Sequence, residues 1–200
     1  MRDKRIRDLV FLAVFSSIII LMSFVPFLGF IPIPLLGVPI TLIPIPVVIG
    51  AVFLKRRYAW VLGLVFGLCS LIVSYLMGVN PIDELFRNPL VSVLPRILFG
   101  FLAFEYFNIF SRTILPKKAV YAISSALAVL SHTVLVMIPL IFFGQRMLDN
   151  DVPVIPSGTY LWIMIGGTFI VSLIELVVTT LVATPALIVL ENVQKDYQEE

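Results

Sequence analysis

One cysteine and one histidine in 200 residues remove several chemistries at the outset. Cys69 lies inside an apolar run, so it excludes an intrachain disulfide and a cysteine metal site and reads as a buried structural thiol. No phosphate-binding glycine loop, His-Glu-x-x-His pair, Gly-x-Ser-x-Gly elbow or close carboxylate pair occurs in the apolar segments. A membrane hydrolase or transferase needs such groups to activate water or hold a metal-bound phosphate, so no catalytic residue and no metal site is assigned. Any ATP-driven process involving this chain would take its nucleotide site from another one. Charge is also scarce, at 13% of residues, and no basic cluster is interleaved with aromatics, which argues against nucleic acid as a partner. Soluble domains, linkers and low-complexity tracts are missing too. The internal echo of Ile31-Pro32-Ile33-Pro34 in Ile43-Pro44-Ile45-Pro46 is too short for a fold repeat.

What is present is apolar. Hydrophobic residues make up 60% of the chain and the mean hydropathy is +1.09, too much for a soluble domain of this size to cover with polar surface. The chain reads as an all-α integral membrane protein, one domain over residues 1–200. A spanning helix needs about 20 apolar residues, and six segments are predicted, at 9–26, 41–54, 58–78, 90–110, 119–143 and 159–190. The first follows basic residues but no small-x-small cleavage pattern, so it is expected to remain as a helix. Between Asp8 and Lys55 no residue is charged, yet six of the fourteen prolines fall from Pro26 to Pro46. Proline removes a backbone donor and fixes φ, so this stretch cannot be helical throughout. Non-helical backbone at membrane depth survives only where protein buries it or where it lines a cavity. A structured, proline-rich external loop over a pocket is therefore expected after the first helix.

Basic residues set the orientation. Arg2, Lys4, Arg5 and Arg7 precede the first helix; Lys55, Arg56 and Arg57 separate the second and third; Arg112, Lys117 and Lys118 separate the fourth and fifth; Lys195 lies in the tail. The alternate side carries only Arg87 and Arg146 outside the spans. Both termini are thus expected in the cytoplasm, with loops 27–40, 79–89 and 144–158 outside. Tyr58 with Trp60 and Tyr160 with Trp162 would anchor the inner and outer interfaces.

Ionisable residues inside spans are expensive and mark candidate sites. By helical rise Arg96 lies roughly 9 Å inside the outer boundary and His132 about 10 Å from it, so the two share a depth. With Asn80 and Asn88 in the external loop, Phe30 in the proline-rich loop and Trp162 at the head of the last helix, they form a candidate outward-facing site for an anionic ligand. Arg96 could instead snorkel or pair with Asp83 or Glu84, and His132 reads more readily as a core histidine bonded to a backbone carbonyl. Glu105 and Glu175 fall about 22–24 Å from the outer surface by the same rise, far from that site. Arg5, Arg7 or another subunit would partner them, proton coupling being the sharper alternative. Small residues at four-residue spacing permit close helix approach: Gly63 and Gly67 are expected to pack within the bundle, and Ala13 and Ser17 sit on one face of the first helix.

Four segments together resemble the substrate-binding S components of energy-coupling factor (ECF) vitamin transporters. They are Leu28-Gly29-Phe30-Ile31-Pro32, Val48-Ile49-Gly50-Ala51, Gly63-Leu64-Val65-Phe66-Gly67-Leu68 and Leu94-Pro95-Arg96-Ile97-Leu98-Phe99-Gly100, in the same order and with the same length and span count. The resemblance implies a six-helix bundle in the bacterial cytoplasmic membrane that binds a vitamin from outside. It also implies partners: a membrane coupling subunit driven by two ATPase subunits, with no cofactor on this chain. Docking through an Ala-x-x-x-Ala pattern on the first helix would map to Ala13 and Ser17, the second alanine being serine here. The Pro-Arg motif and the Gly-Phe-Ile-Pro segment look most like the pantothenate and folate branch, and Arg96 suits either carboxylate. Pantothenate is preferred because few polar groups are evident for a pterin; a neutral pyrimidine or pyridoxine precursor would leave Arg96 structural. Outside this family, a small membrane transferase would need a polar cluster at one depth, and a secondary transporter usually shows interrupted helices in both halves.

Overall fold

Helices dominate the fold, and three of them open on a proline. The computed structural model describes residues 2–25, 27–31, 33, 39–54, 56–78, 81–148 and 157–199, with the side chains of 2–4, 81–82, 144–148, 157–164 and 194–199 left aside. Its elements are α1 (Arg2–Phe24), β1 (Phe30–Ile31), β2 (Ile40–Thr41), α2 (Pro44–Phe53), α3 (Arg56–Leu76), α4 (Pro81–Phe86), α5 (Pro89–Ser92), α6 (Leu94–Phe110), α7 (Lys117–Leu148) and α8 (Ser157–Glu199). Among the described residues, five stretches are long and apolar enough to cross a bilayer: Arg5–Phe24, Arg56–Leu76, Pro89–Phe110, Lys117–Phe143 and Ile165–Val193.

The second predicted span, 41–54, is not one of them. Thr41 belongs to a strand, and Pro44 opens a helix of only 10 residues, about 15 Å long against a hydrocarbon core of about 30 Å. Pro44 and Pro46 are tolerated because the first turn of a helix has no intrahelical use for their missing N–H groups. From Pro46 to Ala51 every residue of α2 is buried. Instead of facing lipid, α2 is a core plug packed against α1, α3, α6 and α8.

Around it the long helices close a bundle: α3 lies along α6, α6 along α7, α7 along α8, and α1 against α3. The α3–α6 contact is a backbone approach. A Cβ at Gly63 would run into the Arg96 carbonyl, and one at Gly100 into the Ala59 carbonyl and the Gly63 backbone. Gly63 and Gly67 thus pack inside the bundle, as expected. α1 turns Phe15 and Ile19 inward, while Ala13, Val14, Ser17 and Leu21 remain exposed. At the end where α3 and α7 begin, charges are paired: Arg56 Nε meets Glu105 at 2.6 Å, and Glu191 of α8 takes Lys117 and Tyr121 of α7. Arg56, at the start of α3, is thus the partner of Glu105, in place of the Arg5, Arg7 or second subunit expected from the sequence. Cys69 is buried and free.

Candidate functional site

At the opposite end, where α3 finishes and α6 begins, the helices diverge around a cavity of about 320 Å³. That lies at the small end of the range for small-molecule sites, about 300–1,000 Å³. Its wall is contributed by α1, the β1–β2 hairpin, α3, α4, α6, α7 and α8.

Arg96 is placed in this wall by a local accident of proline chemistry. A continuous helix through residues 89–110 would bond the Val91 carbonyl to the N–H of residue 95, but Pro95 has none. The helix therefore breaks between α5 and α6. The orphaned Val91 carbonyl accepts from Arg96 Nη1 at 2.6 Å, which pins the guanidinium at the first turn of α6. Two aromatic faces flank it, with the Phe66 ring centre 5.5 Å and the Phe86 ring centre 4.9 Å from Cζ. Arg96 is only 5% exposed, and its Nε has no hydrogen-bond partner among the described residues.

His132 lies beside it on α7. Its ring sits against Phe99 at 4.8 Å and Phe66 at 5.7 Å between centroids. Neither Nδ1 nor Nε2 has a hydrogen-bond partner among the described residues, although the residue is buried. The expected backbone-carbonyl bond is absent among the described residues; the imidazole instead packs on two phenylalanine rings and lines the cavity.

The structure thus gathers Arg96, His132 and Phe30 at one cavity. Asn88 is held elsewhere: its Oδ1 caps α5 by accepting from Leu90 N at 3.0 Å, and it does not line the cavity. Asn80 and the side chain of Trp162 lie outside the described residues, as does most of loop 144–158. Of the proline-rich loop, the described part forms a short antiparallel hairpin, Phe30 opposite Thr41 and Ile31 opposite Ile40. Phe27, at its foot, lines the cavity with φ at 63°, a left-handed conformation that is uncommon for an aromatic residue and marks local strain.

Glu175 overturns its sequence-based placement. It lines the same cavity, and its Oε1 accepts the Thr41 backbone N–H at 2.6 Å, tying the hairpin to α8. The depth count failed because α8 is a single helix of 43 residues, roughly 65 Å long, about twice the hydrocarbon core. Its first turns therefore do not mark the membrane boundary.

A set of hydroxyls also went unrecognised. Ser23, Ser74, Thr133 and Ser172 each donate back to a carbonyl of their own helix, at 2.7, 2.7, 3.1 and 2.8 Å. With their protons so committed, their oxygen lone pairs are the groups left for a bound molecule. Thr168, whose hydroxyl has no partner among the described residues, adds a further group. The signal was present in the sequence as a stripe on α8: Thr168, Ser172 and Glu175 recur at helical spacing on one face of an otherwise apolar segment.

Ala13 and Ser17 lie on the outward face of α1, where Ser17 Oγ donates to the Ala13 carbonyl at 2.8 Å and so presents little polarity. Among the described residues no group of histidine, cysteine and carboxylate side chains is arranged to hold a metal ion.

Comparison with known proteins gives these features a context. Residues 7–187 match the family described as ECF transporter, substrate-specific component. Over 110 residues the chain is 31% identical to the pantothenate transporter PanT of Leuconostoc mesenteroides subsp. mesenteroides, a match covering 54% of this chain and 54% of that protein. The chain thus spans about half the length of this curated relative.

Proposed function

The chain belongs to the substrate-specific component family of ECF transporters, and we propose that its ligand is pantothenate, captured from outside the cell. The family is one of transporter components rather than enzymes. The observation that carries the ligand assignment is the composition of the cavity: one buried guanidinium, Arg96, shares the wall with the carboxylates of Asp83 and Glu175 and with four hydroxyl oxygens whose protons are already used. Pantothenate carries one carboxylate for Arg96, and an amide N–H and two hydroxyls to donate to those oxygens. The cavity's modest volume also suits it better than folate. The similarity to a protein named as a pantothenate transporter points the same way.

In this reading the chain is a single domain of six membrane segments, counting the short α2 as one, with both termini in the cytoplasm and the proline-rich hairpin as an external cover. Arg96, His132 and Phe30 contact ligand. Asn80 and Trp162 remain proposed contacts of the outer rim. Ala13 and Ser17 dock a membrane coupling subunit, and two ATPase subunits supply the energy. Titration of the purified protein with pantothenate, folate and pyridoxine in a calorimeter tests the assignment. Saturable binding of pantothenate alone is expected; tight binding of another vitamin with none of pantothenate would overturn it. Co-purification with ATPase subunits tests the assembly.

A further inference from the structure

Arg96 and Glu175 are buried opposite charges in the wall of a cavity that the half-buried Asp83 also lines, and they do not pair with each other. Arg96 spends Nη1 on the Val91 carbonyl, and Glu175 spends Oε1 on the Thr41 amide. Both line the wall, and no ion pair joins them among the described residues. A site that needed only to attract an anion would gain nothing from a carboxylate in its wall, since that charge lowers the attraction for any negative ligand. If tying down the hairpin were the whole role of residue 175, an uncharged acceptor such as glutamine would serve. A carboxylate offers about four lone-pair sites, and Thr41 uses one. The remainder can accept from ligand hydroxyl or amide donors and repel a second negative group.

We propose that Glu175 is a specificity-determining residue that restricts the cavity to monoanions bearing hydrogen-bond donors and excludes dianions. The proposal rests on the pantothenate reading and sharpens it. Pantothenate is a monoanion whose hydroxyl end can donate to Glu175 while its carboxylate meets Arg96. Its 4′-phosphorylated form replaces a donor with a phosphate group, and folate carries two carboxylates. Either would place negative charge against Glu175, and like charges juxtaposed in a desolvated site weaken binding steeply.

The test compares pantothenate with 4′-phosphopantothenate on the wild type and on Glu175→Gln and Glu175→Ala by calorimetric titration. Glutamine keeps the size of the side chain and an oxygen to accept from Thr41, so it removes the charge alone. The wild type is expected to favour pantothenate strongly, and Glu175→Gln to narrow the ratio of the two dissociation constants by about tenfold or more. Glu175→Ala, which also frees the hairpin, should weaken pantothenate binding while narrowing the ratio as well. If the two affinities fall in parallel in Glu175→Gln, or the ratio does not move, residue 175 is only a tether, or the phosphate is rejected by size, and the proposal is overturned while pantothenate binding stands. If the wild type binds no pantothenate, the functional reading fails, and this inference with it.

Discussion

Replacing Arg96 by alanine isolates the cation in the cavity. In the unliganded protein the change removes the donor to Val91, and an unsatisfied buried carbonyl costs about 1–3 kcal/mol. It also removes a buried cation whose Nε has no partner among the described residues, and that relief offsets part of the loss. The variant should therefore fold, with its unfolding temperature in detergent lowered by a few degrees. Binding should suffer far more. Truncating one member of a buried hydrogen-bonded charge pair costs about 2–5 kcal/mol, a loss of roughly thirtyfold to several thousandfold in affinity. Arg96→Lys should recover little, because an ammonium cannot stack as a plane between Phe66 and Phe86 or bond a carboxylate with two parallel N–H groups. Calorimetric titration of the folded variants with pantothenate reads the effect. Equal affinity in wild type and Arg96→Ala would show that the guanidinium serves only to bond Val91, and the ligand assignment would fall.

Three further outcomes are expected. Amide exchange at Phe30, Ile31 and Ile40 should slow when pantothenate is added if the hairpin covers the ligand; rates that do not change would remove it as the cover. Gly63→Ala should destabilise the fold by about 1–3 kcal/mol through overpacking against the Arg96 carbonyl, whereas Gly166→Ala, with nothing within 4 Å of the added Cβ, should unfold at or above the wild-type temperature. Ala13→Trp, on the exposed face of α1, should leave pantothenate affinity intact but abolish uptake in cells, and normal uptake would show that this face meets lipid.

Much of the fold was legible because lipid demands long apolar helices, and five of them appear within a few residues of their predicted positions. At 41–54 the helix is shorter than the predicted span, because hydropathy does not separate a short segment packed within the protein from one that faces lipid along its length. In the site, Arg96 and His132 were found because a lone ionisable residue in an apolar run is conspicuous. Glu175 was equally conspicuous but misplaced, since depth along a helix can be counted only from a known boundary, and α8 overshoots the membrane. Asn88 is polar and falls in a loop expected outside, but a residue before proline at a helix start is placed to cap it. The hydroxyls were overlooked because serine and threonine inside membrane helices usually bond their own backbone. Here they do, and by doing so they become an array of acceptors.

That difference separates the two ends of the bundle. Where α3 and α7 begin, each buried or half-buried carboxylate meets a cation directly, Arg56 with Glu105 and Lys117 with Glu191. Such pairs are largely neutral toward anything else and serve to hold helices together. Around the cavity, Arg96 and Glu175 each bond only a backbone group among the described residues, and both ring nitrogens of His132 are without a partner there. Buried polar groups left in that state are destabilising, and a bundle optimised for stability alone would have joined the charges or replaced them with apolar side chains. Their separation leaves a field within the cavity, positive near Arg96 and negative near Glu175, that a molecule with one charged end and one donating end can complete. Ligand binding then satisfies groups that the empty protein leaves open. Because Phe30 and Thr41 of the hairpin line the same cavity, a ligand bound there as proposed would couple this gain in hydrogen bonding to the hairpin.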